Sequence, residues 1–297
     1  MAATTVIFVS YNSAQRIGDA LRSAKASHDA GVLDCIVVDN ASADGTADLV
    51  KREHPWAKLI ESPVNLGYGR GLNVGLKVCN TPYILFMNPD AVLPTEALRT
   101  LVAYLEAHPK AGMVAPAIIE GDMLQEAGAL PTPWRILAQS IGLGRQVTRQ
   151  RPIVPHEPPF TTDWLCGAIM LTRTDLMREL NGFDPRFFLY FEETDLCRRI
   201  LQRGLELWAV GDAVAHHVGG ASARTLGQKI VRGCIPEYYY PSRFYYFVKH
   251  HGWPAAACAE IAEFLSLTIN RVIGRDLEGL SARMRAPLLR MPAKEVG

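Results

Sequence analysis

The alternation of short apolar runs with helix-period segments over the first 105 residues restricts this chain more than any other feature. Thr5–Ser10 (TVIFVS), Cys35–Val38 (CIVV), Lys58–Ser62 (KLIES) and Tyr83–Met87 (YILFM) are short and rich in β-branched or aromatic residues, which predicts buried strands. Between them, residues 14–29 place Ile17, Ala20, Leu21 and Ala24 on one helical face. Asp44-Gly45-Thr46 opens a second helix to about Glu53, and the Gly-rich loop 65–73 enters a third through Lys77. Strands alternating with helices need crossover connections, so a mainly parallel sheet covered on both faces is expected. Ligands of such sheets bind beyond the carboxyl ends of the strands. Three polar clusters fall there: Ser10-Tyr11-Asn12-Ser13, Asp39-Asn40-Ala41-Ser42 and Asn88-Pro89-Asp90. Turn chemistry alone favours Asn and Asp at any one exit, but three in succession on one edge argue for a binding site.

A second concentration of chemistry is NGFDPRFFLYFEETDLCRR, residues 181–199. The apolar run Phe187–Phe191 leads into Glu192, Glu193 and Asp195, then Arg198 and Arg199. A carboxyl beside an apolar wall and another carboxyl has a raised pKa, as a general base near neutral pH requires. The same residues also make an ordinary helix start, with acids complementing the dipole and arginines one turn later. Both readings can hold together.

Further along, residues 96–107 read as a helix and Met113–Ile119 as a strand. Residues 120–160 are broken by six prolines, the pattern of a lid or binding loop. Trp164–Thr172 returns to strand character, Asp175–Leu180 is a short helix ended by Asn181-Gly182, and Leu205–Val210 is a strand. A lone histidine is more often structural than a ligand; His216-His217 before Val218-Gly219-Gly220 is a better candidate. Residues 237–251, EYYYPSRFYYFVKHH, form either a helix packing aromatics on the core or a wall beside a phosphate or lipid. Beyond 255 an amphipathic helix and a basic tail (Arg283, Arg285, Arg290) are expected to pack or to lie on a membrane surface.

Composition narrows the function. With 48% hydrophobic and 21% charged residues the chain is of ordinary globular make-up, and a net charge of +1 gives no electrostatic case for nucleic acid. Six cysteines without CxxC spacing disfavour a zinc site or disulfide framework and suit a reduced, intracellular protein. No signal peptide is expected from MAATTVIFVSYN, and no apolar stretch reaches 18 residues. The Gly-rich loop is neither a dinucleotide fingerprint nor a P-loop.

VVDNASADGT, the Asn65–Asn73 loop, FMNPD, WLCGAIML, NGFDPRFFLYFEETDLCRR and HVGGAS occur in the order found in inverting family 2 glycosyltransferases. Over about residues 4–250 the chain resembles the rhamnosyltransferase branch of that family. The resemblance implies an α/β fold of GT-A type: a mainly parallel nucleotide-diphospho-sugar-binding sheet flanked by helices. It implies a transferase domain over 1–250, with a nucleotide-binding half about 1–118 and an acceptor half about 160–250, and a helical extension over 251–297. Ser10, Tyr11 and Asn12 would line the nucleoside pocket, and Asp39 would bond the pyrimidine, with Ser42 nearby. Asn65, Gly67 and Asn73 would floor the ribose and diphosphate.

The resemblance also makes Asp90 the last acid of a metal-binding DxD motif, whose first acid is here Asn88. One amide in place of a carboxylate weakens a Mg²⁺ or Mn²⁺ site; His217 is offered as a further ligand, inclining the site to Mn²⁺. Glu193 matches the base position, where relatives carry Asp, with Glu192 second; Asp195 would cap the helix or hold Arg199. The implied reaction is inverting transfer of L-rhamnose from dTDP-L-rhamnose to a hydroxyl of a saccharide or polyprenyl-linked acceptor in cell-surface glycan synthesis, with a UDP-hexose as the alternative donor. The implied location is cytoplasmic, or peripheral on the inner membrane face. A sugar-nucleotide-forming nucleotidyltransferase would need a Gly-rich segment after the first strand, which SYNSAQR lacks. A non-catalytic nucleotide-sugar-binding protein is the remaining class, left open by the altered NPD and EE motifs.

Overall fold

The computed structural model describes residues 3–142, 150–217, 234–275 and 279–292. The first half alternates as expected: β1 (Thr4–Ser10), α1 (Ile17–Asp29), β2 (Leu33–Asp39), α2 (Thr46–Glu53), β3 (Lys58–Glu61), α3 (Tyr68–Val78), β4 (Tyr83–Met87), β5 (Ala91–Val92), α4 (Thr95–Ala107) and β6 (Ala111–Glu120). The second half adds β7 (Met123–Leu124), β8 (Glu126–Gly128), α5 (Pro133–Ser140), β9 (Gln150–Pro152), β10 (Phe160–Thr162), β11 (Ile169–Arg173), α6 (Thr174–Glu179), α7 (Glu192–Leu201) and β12 (Glu206–His217). Helices Pro236–His251 and Trp253–Val272 and a short turn at Gly279–Arg283 follow.

The main sheet runs β10-β12-β6-β11-β4-β1-β2-β3. Pairings β4–β1, β1–β2, β2–β3 and β6–β12 are parallel, while β11 is antiparallel to both β4 and β6. The reversal at β11 follows from the path of the chain. β6 ends on the carboxyl edge, and the two strands that next join this sheet in full, β10 and β11, both run backwards against the parallel pair β6 and β12. Alternate residues of β1 serve two cores, Val6 and Phe8 on one face and Ile7 and Val9 on the other. That two-sided burial is why the strand reads as a continuous apolar run.

Helix α3 lies flat on β1. A Cβ at Gly75 would stand 2.7 Å from Ile7 Cγ2, and one at Gly71 would stand 2.7 Å from Val9 Cγ1. These two glycines serve helix–sheet packing.

Three local expectations are corrected. Trp164–Ala168 is irregular, and ladder pairing begins only at Ile169. β12 continues past Val210 to His217 through a register shift. Residues 121–142 and 150–160 are ordered by the β6–β7 hairpin, by the antiparallel pairing of β8 with β9 and by α5, with Thr132 as N-cap and Pro133 in the first turn.

The helix Pro236–His251 buries Phe244, Tyr245, Tyr246 and Phe247 against Phe187 and Phe191, the packing alternative for that aromatic run. The next helix buries Ala256, Ala257, Ala259 and Glu260, then exposes Ile261, Leu265, Ile269 and Val272. Arg283 is no surface tail residue. It is buried and donates to Glu260 at 2.9 Å, and Glu260 also accepts from Arg243 at 2.8 Å. No described helix is long and apolar enough to cross a membrane.

Intrinsic propensity favours Ala over Gly inside a helix by about 1 kcal/mol. Because Ile7 occupies the space, Gly75→Ala is expected to destabilise the fold by about 1–3 kcal/mol instead. A urea midpoint that rises in this variant contradicts the packing account.

Candidate active site

The exits of β1 and β2 are neighbours, with Ser10 paired to Asp39. Asp39 is buried, and its Oδ1 accepts from Ser10 Oγ at 3.0 Å and Ser42 Oγ at 2.6 Å. Its Oδ2 accepts from Ser42 N at 2.9 Å, which leaves that oxygen a lone pair for a ligand N–H. Asn12 stitches the loops together: its N–H donates to Ser42 Oγ at 2.9 Å and its Oδ1 accepts from Ala43 N at 2.8 Å. Asn12 and Ala41 both have positive φ, so the loops are held in a set, uncommon shape. Tyr11 stands half-buried in the same loop.

The Gly-rich loop joins this wall to the acidic segment. Asn65 Oδ1 accepts from Gly67 N at 2.9 Å, and Asn40 Nδ2 donates to Gly67 O at 2.9 Å. Gly67 has φ +80°, and a Cβ there would stand 2.2 Å from Phe188 O. Asn73, expected on the floor of the diphosphate, is engaged by the backbone of another segment. Its amide clasps Phe183 from both sides, donating to its O and accepting from its N, each at 2.8 Å. It therefore fixes the turn that carries the acids.

A second cluster forms where β5 pairs with the end of β12, placing His217 beside Ala91. His217 Nε2 lies 3.1 Å from Asp90 Oδ1 and 3.3 Å from Asn88 Nδ2, and Nδ1 lies 3.5 Å from Glu120 Oε2. Burial lowers the His217 pKa, but the bond and charge of Asp90, with Glu120, outweigh it and raise the value. A site that draws a proton onto a buried imidazole also suits a cation. The 3.1 Å separation is about the edge between adjacent ligands of an octahedral ion with bonds near 2.1 Å. One carboxylate and one imidazole make a sparse set, and among the described residues no group of three or more His, Cys, Asp or Glu is arranged as a metal cage. A hard cation would take the rest of its shell from phosphate oxygens and water. Val218–Ser222 of the HVGGAS motif lie outside the described residues.

Glu192 and Glu193 open α7 after two aromatic residues in left-handed conformation, Tyr190 (φ +67°) and Phe191 (φ +69°). Bulky residues rarely adopt that shape, at a cost of about 1–3 kcal/mol each. The aromatic helix holds them there: Phe191 packs on Tyr239 and Tyr246, and Tyr190 packs on Tyr239 and accepts from Ile235 N at 3.1 Å. Ions complete the grip. Lys249 reaches Asp184 at 2.8 Å and Asp195 at 2.6 Å, and Asp195 also binds Arg199 and His250 at 2.7 Å each. Asp195 holds Arg199 as expected, but its partners on the C-terminal helix were not legible beforehand.

The two glutamates differ. Glu192 is buried, and its Oε2 has no hydrogen-bond partner. Burial and the adjacent Glu193 charge raise its pKa well above the ordinary range. Glu193 is half-buried, and its Oε1 accepts from Thr194 Oγ1 at 2.9 Å and Trp164 Nε1 at 3.3 Å. Burial raises its pKa too, opposed by those bonds. Glu193 thus carries the negative charge more readily and is open to a ligand, while Glu192 favours the protonated form.

The segment Trp164–Ala168 joins the two clusters. Asn88 N donates to Ala168 O at 2.9 Å on the cation side, and Trp164 meets Glu193 on the other. Burial pushes the Cys166 thiol up to about 12, and the charges of Glu193 and Glu120 both add to it. Tyr68, half-buried between, donates to Gly167 O at 3.3 Å; desolvation of its hydroxyl, then Glu192, Cys166, Asp90 and Glu193, raise its phenol. A cavity of about 710 Å³ is bounded by Glu120, which bonds His217, and by Trp164, which bonds Glu193. Sequence reasoning missed Glu120, Tyr68 and the side-chain role of Trp164.

Residues 5–161 match the model of Glycosyl transferase family 2, and the chain belongs to that family. Its sheet and flanking helices are those of the GT-A fold. It is 26% identical to an N-acetylglucosaminyl-diphospho-decaprenol L-rhamnosyltransferase of Mycobacterium tuberculosis H37Rv, over 64% of this chain and 68% of that one. It is 28% identical to the rhamnosyltransferase WbbL of Escherichia coli K12, over 56% and 66%. The mannosyltransferase PcManGT from Pyrobaculum calidifontis, solved with GDP-Man and Mn²⁺, superposes over 95% of this chain and 79% of its own, with TM-score 0.53 and 19% identity.

The raised glutamates oppose the fold as pH climbs. Their contribution is favourable below the ordinary glutamate pKa of about 4.3 and is lost as pH rises through the folded values. Asp184 and Asp195 act oppositely: burial raises them, but bonds from Lys249 and, for Asp195, His250 and Arg199 outweigh it, so their support is lost as pH falls below about 4. Glu192→Gln/Glu193→Gln should therefore melt higher than wild type at pH 8, by about 2–4 °C per kcal/mol released, with the gain vanishing near pH 4. Equal melting temperatures at pH 8 contradict the burial argument.

Proposed function

We propose that this chain is an inverting, metal-dependent glycosyltransferase that moves L-rhamnose from dTDP-L-rhamnose to a hydroxyl of a saccharide carried on a lipid diphosphate. The observation that carries the reading is that the segment Trp164–Ala168 bonds to Asn88, two residues before Asp90, on one side and to Glu193 on the other. The donor and the lipid-linked acceptor are supported by the printed activities of the mycobacterial and E. coli relatives. The cation is supported by the Mn²⁺ of the archaeal neighbour and by the Asp90–His217 donor set.

In this reading Ser10, Tyr11, Asn12, Asp39 and Ser42 hold the nucleoside, and Asn65 and Gly67 set the loop beneath the diphosphate. Asp90 and His217 hold Mg²⁺ or Mn²⁺, oriented by Asn88. When bound, the ion supplies charge neutralisation for the departing diphosphate. Glu193 Oε accepts the proton of the acceptor hydroxyl as its oxygen bonds to the anomeric carbon. The bond from that carbon to the diphosphate breaks on the opposite face, through an oxocarbenium-like transition state like that of glycoside hydrolysis. Trp164 and Thr194 fix the carboxylate's direction. Glu192, kept neutral, spares Glu193 a like charge. The exposed stripe Ile261, Leu265 and Ile269 supports peripheral seating at a membrane face.

Loss of a positioned general base costs about 10²–10⁴ in rate. Glu193→Gln should lose transfer by that factor while keeping dTDP affinity, whereas Glu192→Gln should stay within about tenfold of wild type. Wild-type turnover in Glu193→Gln contradicts the base assignment. Assays with dTDP-rhamnose, UDP-glucose, UDP-galactose and GDP-mannose, each with and without Mn²⁺, should show transfer from dTDP-rhamnose with the metal. Turnover from a UDP-hexose alone, or undiminished turnover in EDTA, contradicts the donor or the cation.

A further inference from the structure

A second cleft, of about 590 Å³, opens on the far side of the Gly-rich loop from the acids. Arg70, Arg186, Arg285 and Arg290 line it, against one acid, Glu237. Arg285 and Arg290 are exposed, and among the described residues no carboxylate pairs with either. Arg186 shares Asp184 with Lys249 and lies 4.3 Å over the Tyr245 ring. The rest of the wall is apolar: Phe188 packs on Tyr238 at 4.9 Å, beside Leu66, Pro241 and Met291. Such a surface suits neither a free sugar, which needs mixed donors and acceptors, nor a plain hydrocarbon, which gains nothing from guanidinium groups. It suits a strong anion joined to an apolar chain.

The position is informative as well. Leu66 and Arg70 face this cleft, while Tyr68 between them bonds Gly167 and feels Glu192 and Glu193. Tyr68 N bonds Phe188 O at 2.9 Å, so a partition one loop thick separates the cleft from the catalytic carboxyls.

We infer that this arginine cleft seats the diphosphate of a prenyl-linked acceptor, with the prenyl chain along Phe188, Tyr238 and Met291. The inference rests on the lipid-linked acceptor proposed above and locates it. An acceptor anchored here by its diphosphate presents its saccharide to Glu193 around the edge of the partition. The guanidinium groups supply paired N–H donors of the geometry a phosphate accepts.

The test is calorimetry on the full chain without divalent metal and with the nucleotide pocket saturated with dTDP, titrating farnesyl diphosphate, farnesol and inorganic diphosphate. Farnesyl diphosphate should bind most tightly. Arg285→Glu/Arg290→Glu should weaken it at least tenfold, the single Arg285→Gln and Arg290→Gln changes by less, with dTDP affinity retained in all three. Undiminished farnesyl diphosphate binding in the double variant overturns the site. Farnesol binding as tightly shows a merely greasy surface, inorganic diphosphate binding as tightly shows a free-anion site, and either result also overturns it. Failure of dTDP to bind strikes the donor reading alone, because the farnesyl diphosphate titration still reports on the cleft.

Discussion

The strained aromatic pair Tyr190-Phe191 and the clamp that holds it govern the rest of the site. Left to itself, this turn would relax, since neither side chain favours a left-handed backbone. It persists because helix Pro236–His251 lays Tyr239 and Tyr246 against it and because Lys249 ties Asp184, before the turn, to Asp195, after it. Those ion pairs are largely buried, so removing one partner leaves an uncompensated charge. Helix Pro236–His251 is in this sense part of the scaffold of Glu192 and Glu193, although it contributes no reacting group in our account.

The architecture separates two tasks. Parallel strand exits supply a rigid edge, built from bonds among Ser10, Asn12, Asp39 and Ser42, which the proposed reading gives to the nucleotide. In the proposed reaction the sugar needs groups on the other side of its anomeric carbon, and the segment leading into β11 is what reaches them. That segment, Trp164–Ala168, lies between Asn88 and Glu193 and bonds to both loops. The carboxyl pair is then divided by its surroundings. One glutamate is stripped of partners and favours its neutral form, and the other is given two donors and partial access.

Much of this could be read from the sequence, and the rest could not for identifiable reasons. β1, β2 and β4 were legible because strands buried on both faces are short apolar runs, and their polar exits marked the binding edge. Glu192 and Glu193 were legible because acids directly after five apolar residues are unusual. Trp164 was misread as strand because an apolar run does not reveal where ladder pairing begins. Glu120 follows the run read as a strand, and only the parallel pairing of β6 with β12, which sets Ile119 opposite His216, brings it to His217. Gly71 and Gly75 showed only as glycines at a helix entry, because local sequence cannot show that Val9 and Ile7 fill the space. Lys249 and His250 lie more than fifty residues from Asp195, beyond any periodicity argument.

The central claim is that Asp90 with His217 and Glu193 address one sugar carbon from opposite sides. A crystal structure of the chain with Mn²⁺ and the intact donor, in the Glu193→Gln variant, tests it most directly. The account predicts Mn²⁺ on Asp90 Oδ1 and His217 Nε2, the diphosphate on that ion, and the anomeric carbon turned toward residue 193. Metal bound away from Asp90, or a sugar whose anomeric carbon faces away from the Trp164 cavity, contradicts it.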